Sequence, residues 1–213
     1  MVMMSKIRGF FNSIFSKLFR VKKTIKLGFY GPVNAGKSSL ANRISKDFTG
    51  EEMSSVSKVP HETRTIIQKE KVKIKYNDKE MDFNLIDTPG IATRIDYEDF
   101  LKFKMNDEEA KERAKEATQG VIESIKWLDQ VDCVLVVLDA TQDPYSQVNI
   151  TIIGNLAARN TPILIVANKV DLKSSKIQRV EDAFPQYKVI GISAMTGKNM
   201  DELYKEIFNL IKK

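Results

Sequence analysis

"GPVNAGKSS", residues 31–39, directly follows the apolar run "TIKLGFY" of residues 24–30. Gly31, four residues, then Gly36-Lys37-Ser38 is the spacing of a loop that wraps phosphate. Its glycines let backbone N–H groups turn onto phosphate oxygens with no Cβ in the way. The loop needs a strand before it and a helix after it, and "KSSLANRISKD" reads as that helix. A helix starting at Lys37 points its unpaired N–H groups and positive dipole end at the anion. Lys37 then reaches the β- and γ-phosphates, and the Ser38 hydroxyl binds Mg²⁺. The loop's predicted ligand-binding residues are Asn34, Ala35, Gly36, Lys37, Ser38 and Ser39.

Working outward, strand and helix signals alternate. "IIQKEKVKIKYN" alternates apolar and polar residues and ends in the turn pair "ND", which predicts one arm of a hairpin with "KEMDFNLIDTPG" as its partner. "NDEEAKERAKEATQGVIESIKWLDQ" is helical after an Asn or Asp cap, charged early, with Val121, Ile122, Ile125 and Leu128 as a late apolar face. "DCVLVVLDA", "TPILIVANK" and "YKVIGISA" are continuous apolar runs, as strands covered on both faces require. Helical patterns near 145–159, 176–183 and 199–211 separate them. The expectation is a doubly wound α/β fold: a mostly parallel six-stranded sheet with one antiparallel edge strand. Ligand loops then gather at the carboxyl ends of the strands.

Each candidate ligand group falls right after one of the strands. "DTPG", Asp87–Gly90, offers a carboxylate to hold Mg²⁺ through water and the Gly90 N–H to meet a γ-phosphate. "NKVD" ends the next run but one. Asp171 there can accept from N1–H and the 2-amino group of guanine. Adenine has neither donor, so it would leave the carboxylate unpaired. Asn168 can tie this loop to residues 31–38, and the Lys169 stem can cover the base. "SAM", Ser193, Ala194 and Met195, adds the Ala194 N–H for guanine O6.

Four such elements in this order resemble the translation-factor class of P-loop GTPases, and within it the Era-like branch of the TrmE-Era-EngA type. The resemblance covers about residues 24–213. It implies a Ras-like sheet that binds GTP and GDP with Mg²⁺ and hydrolyses GTP. It also implies a threonine in the loop before the second strand that binds Mg²⁺ and closes on the γ-phosphate. "PHETRT" offers Thr63 and Thr65, and Thr63, before Arg64, is the better match. Lys37, Thr63 and Gly90 are thus the expected catalytic set, and Ser38, Thr63 and Asp87 the metal set. His61, the one histidine in the chain, reads as an exposed polar residue of that loop. Ras-type proteins place a glutamine after the DxxG glycine. Here Ile91 stands there and cannot orient water, so slow intrinsic turnover is expected. Asn34 matches relatives in which asparagine ligates K⁺; the alternative is that it only shapes the loop. No spacing singles out a residue between Arg94 and Glu98. The loops 48–65 and 91–118 flank the γ-phosphate, making an order–disorder switch, with the charged helix at 107–118 as a surface for an effector or simply a solvated face.

Composition bounds the rest. The 213 residues carry a net charge of +6, unevenly placed. Residues 1–26 hold seven Lys or Arg and no acid, which leaves 27 basic against 28 acidic elsewhere. A globally basic, nucleic-acid-binding body is therefore not expected. One cysteine, Cys133, sits in an apolar run and reads as core, and a chain without a disulfide framework suits the cytoplasm. Residues 1–22 are set apart as a basic amphipathic helix from a GTP-binding domain at 23–213. Ile7, Phe10, Phe11, Ile14, Phe15, Leu18 and Phe19 form one helical stripe between basic residues. It is too short to span a bilayer. Three partners fit residues 5–20: a membrane surface, which would make the chain peripheral, its own body, or a groove on another protein. A homodimer through the GTP-binding domain is a further possible assembly. Era-like proteins that bind ribosomal RNA carry a separate RNA-binding domain after the GTPase domain, whereas here the last helical pattern is the chain end. The phenylalanine stripe is also unnecessary for RNA, which favours membrane over ribosome.

Overall fold

The computed structural model describes residues 24–53, 66–91 and 106–211. Among the described residues, eleven helices and strands and one 3₁₀ turn follow in chain order. They are β1 (Ile25–Tyr30), α1 (Lys37–Thr49), β2 (Ile67–Tyr76), β3 (Lys79–Asp87), α2 (Asp107–Trp127) and a 3₁₀ turn (Leu128–Gln130). Then come β4 (Cys133–Asp139), α3 (Gln147–Ala158), β5 (Ile163–Asn168), α4 (Ile177–Ala183), β6 (Val189–Gly191) and α5 (Met200–Leu210). The strands lie in the order β2-β3-β1-β4-β5-β6, with β2 antiparallel to β3 and every other pair parallel. This is the expected six-stranded sheet with one antiparallel edge.

The apolar runs behave as two-faced strands. Along β4, Cys133, Leu135 and Val137 join one core with Leu40 and Ile44 of α1 and Leu203, Ile207 and Phe208 of α5. Val134, Val136 and Leu138 join the other, with Ile152, Ile153 and Leu156 of α3 and Val180 of α4. Alternate residues of one strand thus face opposite layers, which is why the run carries no polar break. β2 is an edge strand and keeps the alternation, with Val72 and Ile74 buried between exposed lysines.

The helix ends follow their local chemistry. α1 stops at Gly50, whose left-handed backbone (φ 79°) returns its N–H to the Lys46 carbonyl. α2 opens with a capping box: the Asn106 side chain accepts from the Glu109 N–H at 2.9 Å, and the Glu109 carboxylate accepts from the Asn106 N–H at 3.0 Å.

The late apolar face expected on α2 is corrected in part. Ile122 and Ile125 are exposed (42% and 40%), while Leu128 is buried and Val121 packs on the second core. The buried stripe is Ala110, Arg113, Ala117, Gly120 and Ser124, which steps i, i+3, i+7, i+10, i+14. Small side chains let α2 approach the DTPG loop, where Ser124 meets Pro89, and the two isoleucines fall on the outer flank. The expected N-terminal helix of residues 1–22 lies outside the described residues.

Candidate functional site

Because β1, β3, β4, β5 and β6 are mutually parallel, their carboxyl ends share one edge. Phe29 of β1 lies opposite Asp87, and Asp139 of β4 lies opposite Asn168. The loops after Tyr30, Asp87, Asp139, Asn168 and Gly191 therefore converge. β2 starts beside Asp87, which pairs with Ile67, so the chain enters the sheet at the same edge.

The phosphate loop is set by two glycines. At Gly31 (φ 154°) a Cβ would stand 2.2 Å from the Val137 carbonyl oxygen, inside the backbone of β4. Gly36 caps α1 with φ 94°, and a Cβ there would meet the Asn168 side-chain nitrogen at 2.2 Å. No L side chain fits either place. Asn34 is exposed in a left-handed conformation (φ 61°), and Ala35 is buried. α1 begins at Lys37 as the sequence predicts, with Ser38 and Ser39 in its first turn.

Lys37 is buried, and its Nζ donates to the Pro32 carbonyl at 2.9 Å. Burial pushes the ammonium down to about 8, against a smaller upward pull from Asp87. Asp87 is buried too, and among the described residues neither carboxylate oxygen has a hydrogen-bond partner of good geometry. Burial raises its carboxyl; the Ser38 hydroxyl, the Lys37 ammonium and the Thr88 N–H pull the other way, in that order. A buried cation pushed down and a buried carboxylate pushed up both gain from opposite charge. An anion at the loop would suit Lys37, and a hard cation with oxygen ligands would suit Asp87 beside Ser38. The residues present fit a magnesium–phosphate ligand.

The DTPG loop is tied to the phosphate loop. The Thr88 hydroxyl donates to the Phe29 carbonyl at 2.7 Å, and the Ile91 N–H donates to the Gly31 carbonyl at 3.2 Å. Gly90 is buried at this junction. Ile91 is buried with the second core, so its side chain is committed to packing rather than to water.

On the base side, Asn168 does what its position predicts. Its Nδ2 donates to the Ala35 carbonyl at 3.0 Å and its Oδ1 accepts from the Ala194 N–H at 3.0 Å. One amide thus joins the phosphate loop to the loop after β6. The Ala194 N–H is engaged by this bond, so a contact with guanine O6 would be shared with it. Ser193 is buried and its hydroxyl accepts from the Thr196 N–H at 3.1 Å, which closes the "SAM" turn. Met195 is 86% exposed beside it. Asp171 is exposed, and among the described residues no hydrogen bond or ion pair occupies its carboxylate.

Lys169 brings in a residue that sequence reading missed. Its backbone is left-handed (φ 69°), and its Nζ pairs with Asp139 Oδ2 at 2.6 Å. The other Asp139 oxygen accepts from the Thr141 N–H at 2.9 Å and the Thr141 hydroxyl at 2.7 Å. Burial alone would raise the Asp139 carboxyl, but these contacts with Lys169 and Thr141 outweigh it and hold the group below its usual range. The available signal was positional: "VVLD" ends in a carboxylate at the edge where the ligand loops gather. Thr63, Thr65, His61 and the Arg94–Glu98 stretch lie outside the described residues.

Residues 26–169 match the family described as 50S ribosome-binding GTPase. GTPase Der of Campylobacter hominis is 32% identical over 199 residues, covering 90% of this chain and 38% of its own length. GTPase Era of Geotalea daltonii is 32% identical over 186 residues, covering 85% of this chain and 53% of its own. The chain therefore spans about half or less of these curated relatives. Among solved structures, Aquifex aeolicus Era bound to GDP.AlF4- superposes with a TM-score of 0.65 at 24% identity, over 87% of this chain and 56% of that one. Era in complex with MgGDPNP and a segment of 16S ribosomal RNA gives 0.67 at 24%, over 88% and 57%. At that identity the likeness is one of fold.

Proposed function

The chain belongs to the 50S ribosome-binding GTPase family, and from that premise we propose that it binds GTP at the strand-end site and hydrolyses it to GDP and phosphate, as a switch. The Asn168 amide carries this reading. It locks the phosphate loop to the loops that would hold a guanine, with Asp171 three residues further on. A buried carboxylate with open oxygens beside a first-turn serine supports Mg²⁺ on the triphosphate, held by Ser38 and, through water, Asp87, with Thr63 as the further ligand. Bound Mg²⁺ would neutralise charge on the β- and γ-phosphates. The protein's own part is positioning: Lys37 and the loop amides hold the triphosphate, Gly90 meets the γ-phosphate, and Asp171 selects the base. With Ile91 packed into the core, the position after Gly90 brings no side chain to orient water, and turnover is slow. Titration calorimetry with GDP and ADP tests the site, and single-turnover phosphate release from GTP tests the reaction. Equal affinity for the two nucleotides would remove the guanine assignment; no release over hours would leave a binding protein.

K⁺ stimulation through Asn34 belongs to the same proposal. Replacing Na⁺ by K⁺ should raise the hydrolysis rate, and an unchanged rate would reduce Asn34 to a loop former. For recruitment, the phenylalanine stripe and basic flanks of residues 5–20 favour an anionic membrane surface. Among the described residues no helix is long and apolar enough to cross a membrane. The ribosome is the second reading, favoured by the family description and by the Era neighbour solved with ribosomal RNA. Co-sedimentation of the full chain with anionic liposomes against ribosomes separates the two.

A further inference from the structure

We propose that Asp139 is a positioning residue for the base: it holds the Lys169 side chain in its base-covering pose before the nucleotide arrives. The inference rests on the guanine-nucleotide reading above. It concerns a residue of β4, outside the four loops that would touch the ligand.

Lys169 stands between Asn168, tied to the phosphate loop, and the exposed Asp171, assigned above to the base edge. A lysine stem has four rotatable bonds, and a free one would have to be ordered each time a base docked beneath it. Here it is fixed at both ends. The left-handed backbone (φ 69°) turns it out of the β5 line, and the ammonium rests on Asp139 Oδ2 at 2.6 Å. The anchor is itself immobile. Asp139 pairs with Asn168 across the sheet, its second oxygen takes two bonds from Thr141, and the Ala140 N–H donates to the Asn168 carbonyl at 3.0 Å. The Lys169 side chain is about one-third exposed and that of Asp139 is 12% exposed, so the pair is only partly screened by water. Pre-ordering removes the cost of immobilising one long side chain, which corresponds to about tenfold in affinity.

Asp139→Asn isolates this contact. The Asn oxygen still accepts from Thr141, while its amide nitrogen presents hydrogens to an ammonium that has only hydrogens to give. The test uses the full chain with Mg²⁺ and GDP, read by calorimetry, in a cycle with Lys169→Met. Methionine keeps an apolar stem and drops the charge. Asp139→Asn is expected to weaken GDP about tenfold, Lys169→Met by a similar factor, and the double variant no further. Equal affinity of Asp139→Asn and the unaltered chain overturns the proposal. So does an undiminished effect of Asp139→Asn in the Lys169→Met background, because Asp139 would then act through the Thr141 turn. Should Asp139→Asn not fold, Lys169→Met alone decides: unaltered GDP affinity refutes the proposal. If the unaltered chain fails to bind GDP, the guanine reading itself falls, which is a different result from any of these.

Discussion

α1 and α2 flank opposite faces of the same sheet, and both abut the phosphate site, but they are held by different means. α1 buries Leu40, Ala41 and Ile44 and lies close against β1, β2 and β3. Its outer end is braced by α5: Phe48 meets Tyr204 edge-on at 4.9 Å, and the Tyr204 hydroxyl donates to Asp47 at 2.6 Å. Arg43 pairs with Asp47 and lies under Gly197, so the same helix supports the turn after β6. α2 buries small residues and one arginine, and comes as close to none of the strands. Among the described residues, polar contacts tie it to the site: the Tyr30 hydroxyl donates to the Ser124 carbonyl at 3.1 Å, and the Ser124 hydroxyl to the Pro89 carbonyl at 3.3 Å. Burying a Leu or Ile contributes roughly 1.5–3 kcal/mol, against about 0.5–1.5 for a hydrogen bond. Phosphate loop and base loops therefore sit on the firm side, and the loop facing the γ-phosphate sits on the side that opens cheaply.

The firm side breaks most visibly at Gly31. Gly31→Ala drives a methyl into the Val137 carbonyl, where the obstacle is strand backbone and not a movable side chain. A loss of about 3–4 kcal/mol is expected, near 10 °C in melting temperature for a chain of this size. Melting within about 2 °C of the unaltered protein would mean that the loop relaxes, and that the contrast between the two sides is overstated.

Next in size is Asp171→Asn. It turns one of the two acceptor oxygens facing N1–H and the 2-amino group into a donor. GDP affinity should fall about 100-fold, near 3 kcal/mol, with no gain for ADP. A base carrying a carbonyl at that position, as in xanthosine diphosphate, should bind the variant better than it binds the unaltered chain. Calorimetry with the three nucleotides decides it; unaltered GDP affinity would detach Asp171 from the base.

What could be read in the sequence follows the same division. β4 and β5 are legible because a strand covered on both faces tolerates no polar residue, and the loops after them because Gly31, Gly36 and Asn168 meet steric demands few residues satisfy. The face of α2 was not legible. Apolar periodicity weighs Ile122 and Ile125 heavily, but the buried side of α2 is the one with small residues, Ala110, Ala117, Gly120 and Ser124, where Ser124 meets the DTPG loop. Asp139 was passed over for a related reason: a lone carboxylate closing an apolar run gains meaning only once Lys169 is seen to turn back toward it.

Hydrogen exchange sharpens the comparison along the backbone. Amides in the last turns of α2 should exchange at least about tenfold faster than those in the middle of α1, since a helix opens as easily as its packed face allows. Equal protection would show that α2 unfolds only with the whole domain.

The smallest effect is the most specific. Ser124→Ala removes a hydroxyl whose single proton is shared between the Gly120 carbonyl of its own helix (2.8 Å) and the Pro89 carbonyl across the interface (3.3 Å). Alanine suits a helix, and the helix's own backbone bonds stay, so stability should change by less than about 1 kcal/mol. What changes is the position of Pro89, one residue before the Gly90 that would meet a γ-phosphate. If a triphosphate draws this loop toward itself, the Ser124 contact opposes the pull in the unaltered chain. The variant should then bind a non-hydrolysable GTP analogue about two- to threefold better relative to GDP, at the low end for a bond as long as this one. An unaltered ratio would mean that the contact survives in both nucleotide states, and that α2 is a passive strut rather than the arm that feels the third phosphate.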